Sequence, residues 1–175
     1  MKKSKIFSIV IIAVDIVLFV AVILAFTIWG RMKTESLAED LARYVAEDDA
    51  TGMMLLFDRK HVSILKDSAA EYDMDTDDYI RTAYIEYLTD ILEEDLGEIT
   101  AISCTIDDMY EYQGDELDET AESMEDEYGI SIKACGELYM TWYVTGADGT
   151  GATYEVVAWI YKRGFKWYLM DFDFY

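Results

Sequence analysis

The chain has 175 residues, a formal net charge of −22 at pH 7, and 14% aromatic residues. Charge of that sign repels nucleic acid and anionic headgroups, which excludes a nucleic-acid partner, and the aromatic content argues against disorder. One His and two Cys leave too few ligands for an ordinary zinc site.

Residues Ile6 to Trp29 form an almost unbroken apolar run, long enough for a helix crossing a bilayer core, which needs roughly 20 residues. Lys2, Lys3 and Lys5 precede it, and Arg31 and Lys33 follow. That excess predicts an N-terminus inside and the remainder outside, a single-pass cell-membrane protein. The run exceeds the roughly 7 to 15 residues of a signal-peptide core, and bulky Phe26, Ile28 and Trp29 leave no small-residue cleavage site. The expected organisation is a cytoplasmic N-terminus at 1–5, an anchor at 6–29, a juxtamembrane linker at 30–34 and a globular domain at 35–175. Asp15 is the one ionisable group within the run. A central Asp costs about 2.5 to 3.5 kcal/mol. Either a partner helix or second copy satisfies it, or the surrounding apolar residues outweigh it. Beyond Lys33, 9 basic residues stand against 35 acidic ones, a net −26.

Thr34 to Ala46 reads as a helix with Leu37, Leu41 and Val45 at helical spacing, and Ala50 to Phe57 as a second one after an acidic break. His61 to Ala70 is ambiguous between a turn and a short helix. A longer helix starts at Asp75 or Thr76, carries Ile80, Tyr84, Tyr87, Leu88, Ile91 and Leu92 as its stripe, and ends at Gly97. The period then changes to two. Ile99 to Tyr112 places Ile102, Cys104 and Ile106 on one strand face. Gly114 to Tyr128 reads as an acidic helix. Ile130 to Thr145 reads as a strand with a bulge near Gly136. Thr153 to Lys162 and Phe165 to Phe174 form a closing hairpin around Arg163-Gly164. The expected fold is α+β, an N-terminal transmembrane helix followed by helices on one side of a curved antiparallel sheet.

This layout resembles the nuclear transport factor two-like superfamily, also called cystatin-like or SnoaL-like. The likeness rests on Leu41-Ala42-Arg43-Tyr44-Val45-Ala46-Glu47-Asp48-Asp49-Ala50 leading to Leu55-Leu56-Phe57, and on Tyr154 to Tyr161 with Gly164 to Asp171 as closing hairpin. The plan of one anchor plus such a domain is similar to envelope proteins of Gram-positive bacteria. The resemblance implies a cone-like sheet whose mouth accommodates ligands. Enzymes of the family place Asp, Tyr or His inside it. Here His61, the only His, lies off the expected strands, which leaves an Asp or a Tyr as acid–base group, with Asp107, Asp108, Asp171 and Asp173 on or beside strands. Many relatives use the fold only to bind or associate, and no catalytic residue is assigned.

The remaining constellations each have two readings. Trp142, Trp159, Trp167, Tyr143 and Tyr161 could line a small-molecule site on an aromatic sheet, or fill its core. Asp73, Asp75 and Asp77 have the spacing of a calcium loop, but Asp78 and Tyr84 stand where that loop needs Gly and Glu; otherwise they cap a helix. Cys104 and Cys135 would gain about 3 kcal/mol from a disulfide, though strand parity points them apart unless a bulge at Gly136 rotates one. No phosphate, dinucleotide or hydrolase motif is present, and no cofactor is expected. The leading expectation is a membrane-anchored extracytoplasmic binding or assembly module with a protein partner or second copy. The alternatives are a small-molecule carrier or acid–base enzyme using the cone, and a weakly divalent-cation-responsive module.

Overall fold

The computed structural model describes residues 34–175. The expected anchor at 6–29 and Asp15 lie outside the described residues, among which no helix is long and apolar enough to cross a membrane. The first described helix, α1 (34–46), buries Leu37, Ala38, Leu41, Ala42, Tyr44 and Val45, one apolar face at helical spacing. Asp48 takes a positive φ in the break that follows, and the Asp49 side chain accepts from Gly52 N to cap α2 (Ala50–Met54). That helix is shorter than expected, since Leu55 to Phe57 turn away from it. The ambiguous stretch is a full helix, α3 (Arg59–Glu71), capped by Asp58.

The long helix exists but is interrupted. It runs as α4 (Thr76–Ile80), a π-helical stretch Arg81–Glu86, and α5 (Tyr87–Leu96). The wider π turn moves the buried stripe on by one residue. Ile85 is buried, Tyr84 is half-buried against the same core beside Phe57 and Phe172, and Tyr87 is 59% exposed. Ile80, Ile85, Leu88 and Leu92 are the buried members of this stretch.

The sheet has four antiparallel strands in the order β1 (Ile99–Glu111), β2 (Ala134–Gly146), β3 (Gly151–Arg163) and β4 (Lys166–Phe174). It is a pure meander, so each connection joins neighbours. The expected bulge at Gly136 is absent, and β2 pairs with β3 in unbroken register from Ala134 to Thr145. Gly136 serves close approach instead. A Cβ there would stand 2.1 Å from the Tyr110 carbonyl oxygen and 2.9 Å from Glu111 Cα. The register shifts fall elsewhere, between Ile99 and Ala101 and between Ile106 and Asp108 in β1, and between Trp159 and Ile160 in the β3–β4 pairing.

Two clusters sit on opposite faces. On the inner face, Leu138, Met140, Trp142, Val144, Val156, Ala158, Ile160, Leu169 and Phe172 pack against the N-terminal helices. The odd-numbered neighbours in β2 and β3 point the other way. There α6 (Asp115–Tyr128) lays Met124 over Cys135 and Tyr161, with Ile130 and Ile132. The expectation of helices on one side therefore needs correction: α6 covers the outer face at one end. Its sparse apolar residues suffice because Gly129, at φ 60°, ends it and returns Ile130 to the same cluster.

Candidate functional site

The sheet distributes the five aromatic candidates rather than gathering them. Trp142 (0% exposed) and Trp167 (5%) belong to the inner core. Tyr161 lies under α6, stacked at 5.8 Å on Tyr168. Trp159 is half-buried on the outer face, opposite Glu137 and Asp171, and Tyr143 is exposed near the far end of that face. Only position along the strand and the bulges decide these facings, so composition alone could not assign them.

The acidic candidates also stay apart. Asp75 caps α4 through Asp77 N and Asp78 N, Asp77 accepts from the Thr51 hydroxyl, and Asp73 sits at a positive φ in the preceding turn. Among the described residues no three His, Cys, Asp or Glu side chains are placed to hold a metal ion. Asp107 accepts from Thr141 Oγ1 at 2.7 Å, and Asp108 and Asp173 each accept from the next backbone N–H. Burial pushes Asp171 above the usual carboxylate value, yet the residue is exposed and its Oδ1 accepts from Phe172 N. Cys104 faces the inner cluster and Cys135 the outer one, so the sheet stands between them and both thiols are free. Burial raises both, Cys104 to about 11, which leaves them protonated and poor nucleophiles at neutral pH.

Two further polar groups are organised, Glu137, which the sequence did not single out, and His61, which it set aside as lying off the strands. On the outer face Glu137 accepts from the Tyr139 and Tyr112 hydroxyls. Those bonds, Tyr139 first, hold its carboxyl below the usual range and push Tyr139 up to about 12. His61 is 4% exposed, 4.8 Å from the Phe57 ring and 5.1 Å from the Tyr128 ring. Burial lowers its pKa, against the pull of Asp58. Its Nδ1 has no hydrogen-bond partner among the described residues.

A site-like feature lies at the β4 end. Where α2, α3 and the start of β4 meet, a cavity of about 650 Å³ opens, with Met54, Leu55, Phe57, Val62 and Tyr168 as its apolar wall. Small-molecule sites span about 300–1,000 Å³. Arg59, Lys66 and Lys166 stand around it. Lys166 Nζ donates to the Leu55 carbonyl at 3.1 Å and lies 4.8 Å from the centre of the Tyr168 ring. The scarcity of basic residues in a chain this acidic is the signal that sequence reasoning passed over. Compared with known protein families, with curated proteins and with solved structures, the chain gives no match.

Proposed function

We propose that the chain is a single-pass membrane protein, anchored through 6–29 with its N-terminus inside, whose 35–175 domain works outside the membrane as a binding or assembly module without catalytic activity. The likeness to the nuclear transport factor two-like superfamily belongs to this proposal. The α+β layout, with helices over a four-stranded meander, supports it in outline.

The observation that carries the reading is the filling of the inner sheet face. Trp142, Leu138, Ile160 and Leu169 are each 0% exposed there, against α1 and the Ile80 to Leu92 helical run. A family enzyme needs an open, desolvated space holding an ionisable group. Here that space is occupied by core side chains, and the strand carboxylates Asp107, Asp108, Asp171 and Asp173 are exposed. The carrier alternative draws on the cavity at the β4 end, outside this filled face. The test is native mass spectrometry of the full chain, released gently from its own membranes. A second copy or a protein partner retained at fixed stoichiometry is the expected result, and a retained small molecule would favour the carrier alternative. A bare monomer in every preparation would count against a binding role. Partition of the chain into the alkaline-washed aqueous fraction would remove the anchor.

A further inference from the structure

We propose that the cavity between α2, α3 and β4 is a binding site for a small amphipathic anion, a phosphate or carboxylate head on a short apolar tail. Three observations carry it. First, cations are rare in this domain, yet Arg59, Lys66 and Lys166 surround one cavity. Second, acidic side chains outnumber basic ones nearly fourfold beyond residue 33, and the other arginines recruit them. Arg43 pairs with Asp40, Arg81 with Asp48 and Asp78, and Arg163 with Asp58. Among the described residues Arg59 is the one arginine with no acidic side chain within 4.0 Å, and Lys66 and Lys166, like the other lysines there, have none either. Asp77, on the Thr51 side of the cavity, is held by the Thr51 hydroxyl.

Third, Arg59 occupies the first turn of α3 directly after the Asp58 cap, and no acidic residue follows within that turn. Cations there oppose the positive end of the helix macrodipole. They weaken the helix, which makes sense where a site requires positive charge. The apolar wall then sets the second half of the ligand. Met54, Leu55, Val62 and Tyr168 offer a surface that would dehydrate a tail of several carbons, while the head meets the guanidinium and ammonium groups. Bare phosphate would leave that wall wet, and a neutral alcohol would leave the cations unmatched.

The inference rests on the binding-module reading, and the two fail separately, because a retained protein partner would uphold that reading with this cavity empty. The test uses the full chain in discs of zwitterionic phospholipid, titrated calorimetrically with hexyl phosphate and corrected with empty discs. One hexyl phosphate per chain is expected, at least tenfold tighter than hexanol or inorganic phosphate. Arg59→Gln with Lys66→Gln should weaken it at least tenfold, and both positions are exposed, so folding is preserved. Lys133→Gln, outside the cavity, should change affinity less than twofold. Equal binding of hexanol or inorganic phosphate, or an unchanged affinity in the double variant, would overturn the proposal. Loss of hexyl phosphate binding in discs containing an anionic phospholipid would overturn it too, assigning the cavity to bilayer lipid.

Discussion

Trp142 shows how a residue chosen for its chemistry turns out to act through its bulk. It packs against Phe172 and Phe174 at ring distances of 6.4 and 6.1 Å, and its Nε1 has no hydrogen-bond partner among the described residues. Trp142→Ala should therefore cost about 3–5 kcal/mol in urea unfolding, the range for deleting a large buried aromatic. A loss below 1 kcal/mol would mean the inner face is not closed. His61 carries a pH signature. Its folded pKa lies below the ordinary 6.5, so between those two values the unfolded chain binds more protons than the folded one. Stability then falls as pH drops from about 6.5 to the folded pKa, with no further His61 contribution below it. His61→Phe, which keeps the ring contacts with Phe57 and Tyr128, should remove that slope. The check is urea midpoints of both proteins from pH 7.5 to 5, and parallel curves would refute it. No sequence pattern marks His61 as buried, because its neighbours Lys60, Ser63 and Arg59 are exposed.

At the level of elements, what could be read in advance followed from unbroken periodicity. α1 was legible because Leu37, Leu41 and Val45 repeat one signal without interruption, and the β3–β4 hairpin because Arg163-Gly164 marks its turn, although its irregularity at Trp159 and Ile160 was not foreseen. α3 was obscured by a polar sequence whose clearest sign is the Asp58 cap. The π stretch brings Ile85 into the core beside Tyr84 and leaves Tyr87 exposed, a one-residue phase change that a regular helical wheel cannot show. Gly136 was noticed but misread, as a kink rather than a gap filled by a neighbouring backbone. Gly136→Ala should cost about 1–3 kcal/mol, since the obstructing atoms are main chain and cannot rotate away. Amide exchange should quicken at Tyr110 to Tyr112 first. An unchanged urea midpoint would show that β1 can shift to make room.

For the whole molecule, charge is the dominant long-range quantity. With 35 carboxylates against 9 basic groups beyond Lys33, self-repulsion opposes the folded state, and salt screens it with a Debye length of about 10 Å at 0.1 M. The thermal midpoint should rise between 0.02 and 0.5 M sodium chloride, and a falling midpoint would point to ion pairs as the stronger influence. The sign of that charge was evident in the sequence. The cavity was not, because Lys66 and Lys166 are a hundred residues apart and only the turn of α2 and α3 beside β4 brings them together. The fold also leaves its two sheet edges unequal. On β4, the Leu169 N–H is already bonded to the Leu56 carbonyl. At the opposite edge β1 runs 13 residues, and the second of its two irregularities falls at Asp107 and Asp108. A long edge strand invites pairing with its like, and a bulge bearing two carboxylates is a known deterrent. Wherever many copies of this domain crowd together, those two residues act as a guard against edge-to-edge polymerisation.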